Sequence, residues 1–247
     1  MIKYDFSGKT VIVTGAGAGI GKVTAIEFLK AGANVTFVSR TPRTELLEEI
    51  ASYPKAFFVQ ADVSSEKDVN ATVDTVVTKY GKIDILINNA SVAKGSLLEE
   101  TALEDWEGVM QNNVNSTFLC TKAVVKNMKT NRYGKIVNVS SVAGRDKSMI
   151  LGASYSTSKA ATIGFTRHMG TELAKFGINV NAVCPSQTHT PMLESLLTKE
   201  IEEMLLKKIP LGYIQEPIQV ANVILFLSSD ESNYMTGAIV DINGGLL

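Results

Sequence analysis

Cysteine, histidine and excess charge are all scarce in this chain, and each scarcity narrows what it can be. Only two cysteines, Cys120 and Cys184, occur in 247 residues, far apart and without a C-x-x-C pair. A disulfide framework is therefore not expected, and a reducing, cytoplasmic setting is. The two histidines, His168 and His189, form no metal-ligand pattern with cysteine, so no metal site is expected. Lysine and arginine number 24 against 25 acids, a net charge of −1. That balance gives no electrostatic reason to expect nucleic acid or an anionic membrane as partner. No apolar run approaches the ~18 residues of a spanning helix. The opening stretch Met1–Phe6 carries Asp5 where a signal peptide needs an apolar run.

Linkers, low-complexity runs and fixed-period repeats are also missing. What fills the chain is an alternation of short β-rich runs with longer amphipathic stretches. The runs are Thr10–Thr14, Val35–Ser39, Ala56–Gln60, Ile83–Ile87, Lys135–Ser140, Asn179–Cys184 and Ala238–Ile242. Several are apolar almost throughout, as strands buried on both faces are. Between them, Ile20, Val23, Ala25, Ile26, Phe28 and Leu29 repeat at helical steps up to a stop at Gly32. Glu66–Tyr80 likewise puts Val69, Val73, Val76, Val77 and Tyr80 on one face before Gly81. The alternation predicts a single-domain α/β fold over residues 1–247. It is a doubly wound Rossmann fold with a parallel sheet of about seven strands and helices on both faces. Ligands in such sheets bind beyond the carboxyl ends of the strands, where the strand order reverses.

The first strand runs into Thr14-Gly15-Ala16-Gly17-Ala18-Gly19-Ile20-Gly21. Glycines there let the backbone turn tightly and approach a pyrophosphate, while the following helix offers free amides and its positive dipole end. Gly15, Gly17, Gly19, Ile20 and Gly21 are thus candidate cofactor-binding residues. The second strand ends in Ser39-Arg40, where NAD-type sites place a carboxylate on the adenosine ribose. Serine leaves room for a 2′-phosphate and guanidinium can pair with it bidentately, which predicts NADP as cofactor. Arg43 either assists or faces water in the next helix.

Tyr155-Ser156-Thr157-Ser158-Lys159 sets a phenol and an ammonium four residues apart, on one face if the segment is helical. A free tyrosine titrates near ~10, and a fixed cation nearby stabilises the phenolate. Upstream, Ile136-Val137-Asn138-Val139 ends in Ser140-Ser141, delivering a hydroxyl to the same end of the sheet.

With these residues the chain resembles the short-chain dehydrogenase/reductase family from end to end. T-G-x-x-x-G-x-G occurs as Thr14–Gly21, and N-N-A-G nearly occurs as Asn88-Asn89-Ala90-Ser91. The serine and Y-x-x-x-K follow in the family's order, then Asn179–Pro185 and Asn243-Gly244-Gly245. The resemblance implies that Tyr155 is the general acid in reduction and the base in the reverse direction. It implies that Ser141 hydrogen-bonds the substrate oxygen, that Lys159 lowers the tyrosine pKa and binds ribose, and that Asn113 holds a water linking the lysine to solvent. It assigns the adenine pocket to Asp62 and Val63, an adenosine-side contact to Asn89, and nicotinamide contacts to Thr188 and Thr190. Thr190 also reads as a helix N-cap before Pro191. Ser91 and Ser186 replace the family's glycines.

Within the family the pattern is most similar to 3-oxoacyl-[acyl-carrier-protein] reductases. This implies NADPH-dependent reduction of a ketone or 3-oxoacyl thioester, with a carrier-protein-bound substrate as one option and a homotetramer built through the long helices after Asn113 and Ser154. Basic residues near the site entrance would meet an acidic carrier, and Arg132 falls at one matching place. It also reads, with Lys126 and Lys129, as an ordinary solvated helix end. Met149-Ile150-Leu151, and Leu193, Leu196, Leu197, Met204 and Leu205 in an insert at about residues 190–212, either wall an apolar substrate pocket or simply pack. An NADP-linked alcohol, sugar or polyol dehydrogenase would use the same residues. An NADPH-binding regulatory protein would not need the tyrosine and lysine, nor would a methyltransferase-like nucleotide binder.

Overall fold

The structure, a computed structural model, describes residues 4–247; Met1, Ile2 and Lys3, part of the segment read for a leader, lie outside the described residues. Seven parallel strands form one sheet in the order β3-β2-β1-β4-β5-β6-β7. They are β1 (Thr10–Thr14), β2 (Asn34–Ser39), β3 (Ala56–Gln60), β4 (Ile85–Asn88), β5 (Gly134–Val139), β6 (Ile178–Pro185) and β7 (Ile239–Ile242). β1 and β5 are buried along their whole length, which is why they read as apolar runs rather than alternating ones. The order reverses between β1 and β4, so the loops after those strands part and open a cleft at the carboxyl edge.

Helices cover both faces. On one side α1 (Gly19–Lys30), α2 (Thr44–Ala51) and α10 (Pro217–Ser228) pack through Phe28, Leu46, Ile50 and Ile224 against Val11, Val13, Val35 and Phe37. On the other, α3 (Glu66–Tyr80), α5 (Ser116–Asn131) and α7 (Ala153–Ala174) bring Val69, Val76, Cys120, Val124, Met128 and Leu173 onto Ile12, Leu86, Ile136 and Val180. Local chemistry sets the ends. Ser65 accepts the Asp68 amide at 3.4 Å to start α3, and Gly81 closes it at φ 79.

One strand begins later than its apolar run suggests. Asp84 is buried, and its carboxylate accepts the Thr10 amide at 2.8 Å while the Ile83 amide is taken by Asn127 Oδ1 at 2.9 Å. Those side-chain partners replace ladder bonds, so β4 starts at Ile85. α4 (Leu103–Met110) joins α5 through a π-helical turn, Gln111–Asn115, which is stable here because its inward residue Asn113 finds buried partners. Short helices α6 (Val142–Arg145) and α8 (Pro191–Glu194) border the cleft, and α9 (Lys199–Lys208) packs behind α8, with Leu193, Leu205, Ile209 and Ile214 forming a separate apolar cluster.

Candidate active site

A cleft of about 450 Å³ runs along the carboxyl edge of the sheet and gathers nearly every residue singled out above. At one end lies the glycine loop. Gly15 and Gly19 have φ of 64 and 54, and a Cβ on Gly15 would stand 2.8 Å from the Ala90 Cα, so the loop after β1 and the loop after β4 meet backbone to backbone. Thr14 Oγ1 stitches them, accepting the Asn89 and Ala90 amides at 3.0 and 3.1 Å and donating to the Ile87 carbonyl at 3.2 Å. The Asn89 side chain donates to the Thr14 and Gly15 carbonyls at 3.0 and 3.2 Å, so it braces the loop as well as lining the cleft.

The first amides of α1 are free for a ligand. Its N-cap, Ala18, has no side chain able to accept them, and the first turn carries no acid. Uncapped amides at the positive end of a helix dipole, beside Gly17, Gly19 and Ile20, suit a pyrophosphate, while Gly21 is buried against Asn89 and the Gly15 carbonyl and does not line the cleft. The fold therefore fits a dinucleotide by its own geometry.

Ser39 and Arg40 close the same end. Ser39 Oγ donates to the Thr41 carbonyl at 3.2 Å, and a Cβ on Gly17 would come within 2.7 Å of it. The Arg40 guanidinium donates to Asn112 Oδ1 at 3.1 Å and stands 4.0 Å from the Asp62 carboxylate. Partial burial pushes the Asp62 carboxyl up, but two hydrogen bonds from Ser64 and the Arg40 charge outweigh it and hold the carboxyl below its usual range. Arg43, the N-cap of α2, and Val63 also line the cleft.

At the other end β5 delivers two serines with different fates. Ser140 is buried and donates to the Lys159 carbonyl at 2.8 Å. Ser141 faces the cleft that Tyr155 also lines, and caps α6 by accepting the Ala143 amide at 3.1 Å. Tyr155 and Lys159 share a face of α7, with Lys159 Nζ 5.5 Å from the phenol ring centroid. Lys159 is buried, donates to the Val139 carbonyl at 3.0 Å, and is pushed down to about 8 by burial. Burial likewise raises Tyr155, to about 12, against the lowering effect of the Ser141 hydroxyl nearby. Desolvation thus governs the phenol here, where the Y-x-x-x-K spacing suggested that the ammonium would govern it. At neutral pH Tyr155 is a protonated acid and Lys159 a cation.

Asn113 is buried, and its side chain is fully engaged. Its amide nitrogen donates to the Val92 carbonyl and Ser158 Oγ, both at 3.0 Å, and its oxygen accepts the Val92 amide at 2.8 Å. It pins the loop after β4 to α7, a role the sequence did not show. Thr190 caps α8 by accepting the Leu193 amide at 3.3 Å and also lines the cleft, so both readings of it describe the same residue. Thr188 is buried and donates to the Ser186 carbonyl at 3.0 Å. Ile150, Leu151, Met192, Leu193 and Leu196 form the apolar wall, whereas Met149, Leu197, Met204 and Leu205 pack behind it in one cluster with Leu193 and Ile150. Arg132 is the left-handed C-cap of α5 at φ 50. It precedes the amino end of β5, roughly 20 Å along that strand from Ser141, and so does not stand at the mouth of its own chain's cleft. Among the cleft residues that spacing missed are Asn112 and Gln187, which only the fold brings there.

A family model described as Enoyl-(Acyl carrier protein) reductase matches residues 15–247, and nearly full-length relatives are 35–42% identical. The chain belongs to the short-chain dehydrogenase/reductase family. This family member is 42% identical to the 3-oxoacyl-[acyl-carrier-protein] reductase of Thermotoga maritima over 97% of this chain and 98% of that protein. It is 38% identical to the enzyme of the same name from Aquifex aeolicus, covering 99% and 100%. It is also 35% identical to a subunit of (2S)-[(R)-hydroxy(phenyl)methyl]succinyl-CoA dehydrogenase from Thauera aromatica, covering 96% of each. Among solved structures, levodione reductase superposes with a TM-score of 0.90 at 30% identity, over 97% of this chain and 98% of that one. Among the described residues no helix is long and apolar enough to cross a membrane, and no cluster of His, Cys, Asp or Glu could hold a metal ion.

Proposed function

We propose that this short-chain reductase uses NADPH to reduce the ketone of a 3-oxoacyl thioester to the hydroxyl. The observation that carries the proposal is the convergence of Ser141, Tyr155 and Lys159 on the cleft whose other end holds the uncapped start of α1 and Arg40. When bound, NADPH supplies the hydride to the carbonyl carbon. The chain's residues do the rest. Ser141 donates a hydrogen bond to the carbonyl oxygen as negative charge grows there. Tyr155 gives that oxygen its proton, which its raised pKa keeps available at neutral pH. Lys159, charged below about pH 8, holds ribose hydroxyls and stabilises the phenolate left behind. Gly15, Gly17, Gly19 and Ile20 cradle the pyrophosphate. Arg40 takes the 2′-phosphate beside Ser39, and Asp62 and Val63 flank the adenine. Thr188 and Thr190 meet the nicotinamide, and Asn89 and Asn113 brace the loop after β4.

The 3-oxoacyl group is supported by the names of the relatives and by the apolar wall of Ile150, Leu151 and Leu196, which suits an acyl chain. The segment at about residues 190–212, with α8 and α9, acts as a lid over it. A carrier protein is the natural bearer of such a thioester, and an alcohol, sugar or polyol dehydrogenase is the competing use of the same residues. Assembly as a homotetramer has support in the outward face of α7, where Thr157, Ala160, Gly164 and Thr171 are small and exposed and allow close helix pairing. Two buried free thiols fit a reducing, cytoplasmic setting. The test follows oxidation of NADPH and of NADH with 3-oxoacyl thioesters, simple ketones and sugars. Efficient turnover of a thioester with NADPH is expected, and turnover confined to sugars or polyols would overturn the substrate assignment.

A further inference from the structure

One polar group in the cleft has no task in the chemistry above. Gln187 lies between β6 and Thr188, on a segment held in place from both sides. The Gln215 amide donates to the Gln187 carbonyl at 3.3 Å, and Gln215 Nε2 reaches the Ile242 carbonyl at 3.1 Å. With its backbone fixed, Gln187 lines the same cleft as Ser141 and Tyr155. Its Oε1 is shielded from solvent yet has no hydrogen-bond partner among the described residues. A buried polar atom left unpaired is costly and uncommon in folded proteins, and a ligand atom is one way to satisfy it. Rotation about the last side-chain bond exchanges the two poles of the amide, so the same position can accept or donate a hydrogen bond. Ile150, Leu151, Met192 and Leu196 line the cleft too and offer apolar contact, beside the hydroxyls of Ser148 and Thr188. An unpaired amide oxygen beside apolar side chains matches a ligand that carries an oxygen at that point as well as apolar carbon.

We infer that Gln187 is a specificity-determining residue that recognises a second oxygen on the substrate, a carbonyl or hydroxyl close to the ketone being reduced. The inference rests on the reading of this cleft as a ketone-reducing site. It narrows the substrate to dioxygenated compounds and disfavours plain monoketones. Sites built around a polar contact discriminate strongly because the analogue lacking the group leaves the protein partner unpaired.

The test compares three probes of similar size: a short 3-oxoacyl thioester, an α-hydroxyketone and a monoketone. Each is assayed with wild type, Gln187→Met and Gln187→Glu. Methionine keeps the length and removes the amide. Glutamate keeps an acceptor and removes the donor. Wild type should favour a dioxygenated probe over the monoketone, and Gln187→Met should reduce that ratio of kcat/KM by about ten- to a hundredfold. Gln187→Glu separates the two oxygen types. It should retain the preference for a hydroxyketone, which donates, and lose the preference for a thioester carbonyl, which only accepts. A wild type with no such preference, or a Gln187→Met ratio within about twofold of wild type, overturns the inference while leaving ketone reduction intact. Absence of nicotinamide oxidation with all three probes overturns the ketone-reducing reading itself and the inference with it.

Discussion

Replacing Arg40 with alanine isolates the preference for a phosphorylated cofactor. A hydrogen bond to a charged group contributes ~1.5–3 kcal/mol, and each ~1.4 kcal/mol is tenfold in affinity. The Arg40 side chain is 53% exposed, and Asp62 at 4.0 Å already offsets part of its charge, so the lower half of that range applies. NADPH binding should therefore weaken by about ten- to thirtyfold, while NADH, which lacks the 2′-phosphate, should change little. The hydrogen bond from Arg40 to Asn112 at 3.1 Å holds the guanidinium toward the cleft, so Asn112→Ala should show the same selectivity at smaller size. Adding Ser39→Asp to Arg40→Ala places a carboxylate beside Gly17, where it repels phosphate and accepts from ribose hydroxyls. The double variant should prefer NADH. The assay is kcat/KM for each cofactor at fixed ketone concentration across the four proteins. A wild type that already favours NADH, or an Arg40→Ala that weakens both cofactors alike, refutes the reasoning.

Gly144 touches the Lys159 backbone so closely that a Cβ would lie 2.5 Å from its carbonyl carbon; Gly144→Ala should cost ~1–3 kcal/mol by overpacking. At about 2–4 °C per kcal/mol for a chain of this size, melting should fall by roughly 2–12 °C, and kcat should fall too because Ser141 caps α6; an unchanged melting curve would contradict the close packing. Lys159 titrates at about 8 against an ordinary 10.5, so kcat/KM for the cofactor should decline as pH rises through about 8 while Tyr155, at about 12, stays protonated; a flat profile to pH 10 would contradict the burial of the lysine. The sign for stability is the reverse. Because its pKa is lower folded than unfolded, this lysine costs stability below about pH 8, and the cost is relieved as pH rises toward 10.5. Light scattering should give about four times 26.6 kDa at micromolar concentration, and a stable, active monomer would contradict assembly through α5 and α7.

The fold was legible in the sequence because strands buried on both faces and helices with one apolar stripe leave different periods. Thr10–Thr14, Ala56–Gln60 and Glu66–Tyr80 have the bounds their patterns suggest. β4 was misjudged by two residues because periodicity cannot register a buried aspartate that takes over a backbone partner, as Asp84 does with Thr10. Tyr155, Lys159, Ser141 and the glycines were legible for another reason, since each follows a strand or shares one helix turn. Asn112 and Gln187 were not. Asn112 reaches Arg40 across 72 positions of chain, and the unpaired oxygen of Gln187 becomes visible only when its surroundings are in place. Arg132 matched by position, and only the fold shows that it closes α5 at the amino end of β5, away from its own chain's cleft.

The central claim is that this cleft reduces a ketone with Tyr155 as the acid. The most direct measurement is single-turnover oxidation of bound NADPH by a short 3-oxoacyl thioester in wild type and Tyr155→Phe. The phenyl ring keeps the packing and removes only the hydroxyl. Cofactor affinity and melting temperature should stay close to wild type, and the hydride-transfer rate should fall by about 10²–10⁴. A variant that oxidises NADPH at a near-normal rate would contradict the account, because the proton would then come from another group.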